Sequence, residues 1–331
     1  MADTFIEHPR ARKSSEARLD DGAKTLHRTL TWDNWTDFLA DVKRGQRHPG
    51  MTDKSSSGYA SRENPASERW DLNTNWTKAV ELAERGWPEG RKLIESLSGA
   101  IYDDVSRMVE VQEIRFDVEG ECGIDMGRLM EGEPECVMTT QTTEEVREGV
   151  GNQLIRVVLN LAASCGVSAD VLKARGAATV ALVDLLESTG KRCEVWFAVA
   201  VQAHHKGSNR LQEIWVQVKK PGESLQIDQV AYALAHPAAF RRLYFAAVEQ
   251  CAPGWCLGVS PEGFAYGYPC DLATLREPGE IRIEKAFYGD VAWSNPVEAR
   301  KWVIARLREQ GVTVEDKHVA PERDRAPRPR R

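Results

Sequence analysis

The chain has 331 residues, with 44 Lys and Arg against 50 Asp and Glu and a formal net charge of −6. That balance excludes a protein that coats nucleic acid or an anionic membrane by bulk electrostatics. Hydrophobic residues make up 42% of the chain and Trp occurs ten times, enough apolar mass for one large domain or two modest ones. No stretch reaches the roughly 18 apolar residues that a membrane helix needs, so a soluble, cytoplasmic protein is expected.

Residues 1–24 are charged and show no period. Trp35, Phe38, Leu39 and Val42 then fall at helical spacing. Gly45 to Ser67 is rich in Ser, Gly, Asn and Pro and reads as a linker. Residues 1–70 are therefore expected to be a flexible arm with one short helix, and residues 1–28 to be dispensable for folding. Residues 71–110 read as a helical hairpin. Trp76, Ala79, Val80, Leu82 and Ala83 share one helix face, Gly86-Trp87-Pro88-Glu89-Gly90 makes the turn, and Leu93, Ile94, Leu97 and Ile101 share the next. Gly86 suits the end of the first helix and Pro88 the first turn of the second.

Residues 111–316 read as an α/β domain. Ile114, Phe116 and Val118 alternate with charged residues, the pattern of a strand with one wet face. The most informative stretch is Gln153 to Val201. A strand apolar on both faces (Leu154, Ile155, Val157, Val158, Leu159) ends in Asn160-Leu161-Ala162-Ala163-Ser164. A helix capped by Ser168 follows, and a second buried strand begins at Cys193. Strand, helix, strand with two-sided apolarity predicts a parallel sheet, which binds ligands at the carboxyl ends of its strands. Glycine at 176 inside the helix costs about 1 kcal/mol relative to alanine, so close packing against another element is expected there, and a salt bridge for Arg175. Ile214, Val216 and Val218 alternate as an antiparallel, half-exposed strand. Asp228 to Glu249 reads as helix broken at His236-Pro237, Ile281 and Ile283 as the last strand, and Asn295-Pro296 as the start of the last helix. Residues 317–331 are basic and Pro-rich, and a disordered tail is expected.

Seven cysteines, at 122, 136, 165, 193, 251, 256 and 270, are odd in number and irregular in spacing. That argues against a disulfide framework. Cys251, Cys256, Cys270 and the His204-His205 pair do not form C-x2-C or H-x3-H pairs, so buried reduced thiols are expected rather than structural zinc. No G-x-x-x-x-G-K-[ST] loop, no G-x-G-x-x-G after a strand and no Gly-x-Ser-x-Gly elbow is present, which speaks against nucleotide-binding and serine-hydrolase readings. Asp125, Glu131, Glu133 and Glu135 form an acidic loop without metal-loop spacing.

The order of parallel strand, hydroxyl-bearing loop, helix, buried strand and antiparallel strand resembles a von Willebrand factor type A domain over about residues 110–316. That resemblance implies a mixed, mainly parallel, Rossmann-like sheet flanked by helices on both faces. In that family the first strand ends in Asp-x-Ser-x-Ser and holds a divalent cation. Here those positions are Asn160, Ala162 and Ser164, which lack the carboxylate and one hydroxyl, so no cofactor is expected, Mg²⁺ being the one ion left open. Ser61-Arg62, Trp76 to Ala83, Gly86 to Gly90 and Arg175 to Ala178 also resemble a phage and prophage protein family that brings no activity with it. The function expected is a non-enzymatic adaptor that binds another protein through Asn160, Ser164 and Ser168 at the sheet edge. A metal-dependent hydrolase is the first alternative. A nucleic-acid-associated protein acting through the basic tail is the second, although nucleic acid and membrane are not the expected partners.

Overall fold

The computed structural model describes residues 7–20, 23–45, 61–63, 65–102, 108–120, 123–146, 154–205, 208–251, 259–260, 263–264, 266–287, 293 and 295–312. The basic tail and the linker segment 46–60 lie outside them. Strands β1 (Arg12–Asp20) and β2 (Ala23–Trp32) precede helices α1 (Trp35–Lys43), α2 (Glu68–Asp71), α3 (Trp76–Arg85) and α4 (Pro88–Tyr102). Then come β3 (Met108–Asp117), β4 (Gly123–Ile124), α5 (Met126–Met130) and β5 (Val137–Val146). The central unit is β6 (Leu154–Asn160), α6 (Ala169–Ser188), β7 (Arg192–His205) and β8 (Ser208–Lys219). It continues through α7 (Ile227–Ala235), a π-helical segment Ala239–Tyr244 and α8 (Phe245–Glu249). Short strands β9 (Val259–Ser260), β10 (Gly263–Phe264), β11 (Tyr268–Pro269) and β12 (Ile281–Ile283) lead to α9 (Pro296–Glu309).

The chain is α/β. Its main sheet is mixed and runs β1-β2-β8-β7-β6-β12, with β11 added alongside β7. β6 is parallel to both β7 and β12, and β8 is antiparallel to β7. β6 lies inside the sheet with Asn160 at its carboxyl end; Ile155, Val157, Val158 and Leu159 bury both of its faces toward that end, while Arg156 pairs with Glu194 and Glu277 at the other. Alternate residues of the strands, among them Val157, Leu159, Phe197, Val199, Ile214 and Val216, enter one core cluster with α1, α3, α4, α6, α7, α8 and α9. The other parity, Val158, Ala198, Ala200 and Trp215, packs on Cys270 and Leu272. Among the described residues the helices that pack on the main sheet thus gather on one face and an extended segment covers the other, in place of the expected helices on both. None of the described helices is long and apolar enough to cross a membrane.

Side chains fix the helix ends where the sequence placed them. Ser168 Oγ accepts from Val171 N–H at 3.4 Å, and Asn295 Oδ1 accepts from Glu298 N–H at 3.0 Å ahead of Pro296. Gly176 answers the packing expectation, since a Cβ there would overlap the Leu234 carbonyl and the Ala235 backbone on α7. Arg175, expected in a salt bridge, is buried and donates to the Asn160 carbonyl at 2.9 Å and the Ile283 carbonyl at 3.4 Å.

Three segments differ from the sequence reading. Residues 12–32, expected within a flexible arm, form an antiparallel hairpin whose β2 pairs parallel with β8. Edge strands are often polar by design, and here the buried His27 and Arg28 also break the apolar alternation that Leu30 and Trp32 begin. The β8 strand, expected to be half-exposed, is consequently internal, between β2 and β7. β3, expected to enter the main sheet, pairs with the threonine-rich β5 in a separate three-stranded sheet with β4.

Candidate functional site

The Gly86–Gly90 turn is held to the start of α7. Gly86 has φ +88°, which favours glycine, and a Cβ on it would press on the Asp228 side chain. Trp87 N–H donates to the Asp228 carbonyl at 2.9 Å, and Arg91 grips the Asp228 carboxylate with two bonds of 2.7 Å each. The Trp87 indole folds over Gly90, where a Cβ would collide with the ring. Each glycine of the motif therefore answers a specific contact.

Trp87 also meets the imidazole of His236 edge to face, with ring centroids 4.7 Å apart. His236 sits just past α7, where Pro237 stops the helix. Its Nδ1 accepts from Ala238 N–H at 3.1 Å, which leaves the ring proton on Nε2. Burial, with Lys173 adding to it, lowers the imidazole to about 4, so the ring is neutral at pH 7.

Leu72 and Asn73 form the facing wall, both at φ +55°, a left-handed conformation that costs non-glycine residues on the order of 1 kcal/mol or more. Neighbouring bonds hold it. Asp71 Oδ1 accepts from Ser67 N–H at 2.9 Å and Thr74 N–H at 3.2 Å, while Arg242 Nε donates to Asp71 Oδ2 at 3.0 Å with both side chains fully buried. Arg241 donates to the Trp70 and Val167 carbonyls at 2.6 Å each and lies 3.8 Å from the Trp70 ring centroid. Burial brings this guanidinium down to about 10. Both arginines come from the π-helical segment, a rare geometry that frequently marks functional positions. Val167 belongs to the loop after β6, so Arg241 ties the carboxyl edge of the sheet to the wall of the cleft.

The space between these walls is about 420 Å³. Lys78, Glu81 and Arg85 of α3 form its rim, with Glu81 bridging Lys78 at 3.2 Å and Arg85 at 3.5 Å. A smaller hollow of about 230 Å³ opens between Trp196 and Trp215 on the opposite face of the sheet. There Glu213 accepts from the Ala273 and Thr274 N–H groups. Burial alone would raise its carboxyl, but hydrogen bonds from His27, Thr274, Trp215 and Ala273 outweigh burial and hold it at about 2.

The three residues expected to bind at the sheet edge do lie along the β6–α6 connection. Asn160 is fully buried. Its Oδ1 accepts from Ala162 and Ala200 N–H, and its Nδ2 donates to the Cys270 carbonyl at 2.9 Å. The Ser168 hydroxyl caps α6, and Ser164 is half-buried. With its oxygen spent on two backbone N–H groups, Asn160 fits the chain's own loop better than a cation. His204 and His205 end β7, and Asp125 caps α5. Among the described residues the one grouping of donor atoms close enough to share an ion is Glu7, His8 and Cys251. Sequence reasoning missed His236, which registered only as a helix break, and the Gly86–Gly90 motif was the signal that leads to it.

Residues 15–314 match the model of a family described as Domain of unknown function (DUF7192). No curated protein and no solved structure matches the chain.

Proposed function

We propose, for a chain that belongs to the DUF7192 family, a non-enzymatic role: it is an adaptor that seats part of another protein in the cleft between Trp87, His236 and the Leu72–Asn73 wall. The observation that carries the reading is the bonding of His236: its Nδ1 is taken by Ala238 N–H, so Nε2–H is a fixed donor at the cleft, and burial lowers the ring so that it is neutral at pH 7. A carbonyl or carboxylate of the partner is the natural acceptor. Small-molecule pockets of this size are lined mostly by apolar groups, but polar and charged side chains predominate around this one. Trp87 is nearly fully buried, and the charged rim of Lys78, Glu81, Arg85 and Glu89 around it is the polar border of a protein interface.

The von Willebrand A-like reading is supported by the order β8-β7-β6-β12 with β8 reversed, and the site then sits beside the carboxyl edge, joined to it through Arg241. A phage or prophage origin rests on the resemblance of the Gly86–Gly90 and Arg175–Ala178 segments. A cytoplasmic setting is supported by the free thiols Cys136, Cys165, Cys193, Cys251 and Cys270. The test is a photo-crosslinking amino acid placed at Lys78 in the native host. A discrete adduct that disappears when His236→Phe is added supports the reading. Adducts only from the same label at Leu275, beside the Trp196 hollow, would overturn it.

A further inference from the structure

The start of the described chain meets the end of α8 in a buried group of donors that the cleft does not use. His8 is fully buried and in the left-handed region at φ +40°. Its Nε2 lies 3.6 Å from Cys251 Sγ, and the carboxylate of Glu7 completes a set whose atoms all fall within 4.8 Å of one another. Ligands at about 2.0 Å and 2.3 Å from one tetrahedral zinc are separated by about 3.5 Å, so imidazole and sulfur already stand at the spacing that a shared ion imposes.

The hydrogen bonds of this group do not close. His8 Nε2 and the Cys251 thiol both turn to the Ala247 carbonyl, at 2.8 Å and 3.5 Å. Gln212 is fully buried and places its amide 3.3 Å from Cys251 Sγ through Nε2, while its Oε1 has no partner, and neither has Nδ1 of His8. Polar atoms this deeply buried are normally paired. Turning the Gln212 amide by half a rotation brings Oε1 toward the sulfur in place of Nε2. Arg28 meanwhile donates to Glu7 Oε1 at 2.6 Å and orients that carboxylate.

We propose that Cys251, His8, Glu7 and Gln212 form a structural site for a zinc-class divalent cation that pins the start of the chain to the end of α8. On binding, the thiol proton leaves to solvent and the sulfur becomes a thiolate ligand. The ring proton moves from Nε2 to the unpartnered Nδ1, and Nε2, a Glu7 oxygen and Gln212 Oε1 fill the other three positions. No oxidation is involved. One nitrogen, one sulfur and two oxygen donors suit zinc better than magnesium, which takes hard oxygen ligands in octahedral geometry.

The test uses the untagged full chain, loaded with Zn²⁺ and dialysed, and the same protein loaded with Co²⁺. The expected results are one ion retained per chain, a thiolate-to-cobalt charge-transfer band, and an X-ray absorption shell of one sulfur with three lighter atoms. Cys251→Ser is expected to abolish the band and His8→Gln to weaken binding at least roughly 10-fold, as the loss of a ligand should. Failure to retain an ion, a band that survives in Cys251→Ser, or a shell with no sulfur or more than one overturns the proposal. The shell is measured on the unaltered protein, so the question is decided even where a variant does not fold.

Discussion

Trp87 and His236 lie edge to face at 4.7 Å, and this contact joins the turn of the helical hairpin to the end of α7. The indole helps to bury an imidazole that titrates near 4. The unfolded ring takes up its proton near 6.5 and the folded ring does not until about 4, so stability is present above 6.5 and is lost as pH falls through that window. His27 opposes it. It is raised chiefly by its bond with Glu213, so its contribution is full below 6.5 and fades as pH rises through its folded value. Asp184, raised by burial, opposes it as well, whereas the lowered Glu213 and Asp228 carboxyls add to the loss at the acid end, so urea unfolding is expected to show a loss of a few kcal/mol, to order of magnitude, between pH 7 and pH 4. Trp87→Leu should move the His236 titration, followed by NMR, back toward 6.5. A stability that grows as pH falls from 6.5 to 5 would contradict this account.

Gly176 sits where α6 crosses the backbone of α7 at Leu234 and Ala235. In a free helix Gly→Ala stabilises by about 1 kcal/mol, but here the added methyl meets a carbonyl that cannot move aside. Gly176→Ala should therefore destabilise the protein by about 1–3 kcal/mol, the range of overpacked cores, measured by chemical denaturation. A gain in stability would show that the two helices can part.

Removing residues 1–28 tests the β1–β2 hairpin. The deletion takes away Glu7, His8, β1 and the part of β2 that pairs with β8, and it leaves the Asn209–Gln212 stretch of β8 as an open edge. Thermal melting of the truncated chain should show a fall on the order of 10 °C, or aggregation. A melting point within about 2 °C of the full chain would mean that the hairpin contributes little.

The sequence made the central unit legible because its signals are local. The apolar run Val157 to Leu159 at the end of β6 places that strand inside the sheet, and Ser168 and Asn295 mark helix starts that their own side chains cap. The hairpin β1–β2 was not legible, since Arg12 to Asp20 is a polar edge and its place depends on a partner nearly 200 residues away at Ser208–Lys219. The cleft was half legible. Gly86 and Gly90 stood out as a turn, but the reasons for them, Asp228 and the Trp87 ring, exist only after the hairpin docks on α7. The sequence presents Asn160 as the remnant of a ligand position, whereas its burial and its three backbone bonds, one of them to Cys270, belong to the folded state alone.

The most direct test of the binding account is calorimetric titration of the partner recovered by crosslinking at Lys78. Three proteins are compared: the unaltered chain, His236→Phe in the cleft and Leu275→Glu beside the opposite hollow. The account predicts that His236→Phe weakens affinity by about 10-fold or more, the worth of one buried hydrogen bond in a desolvated site, while Leu275→Glu binds as the unaltered chain does. Unchanged affinity in His236→Phe, together with loss in Leu275→Glu, would contradict it and move the interface to the other face of the sheet.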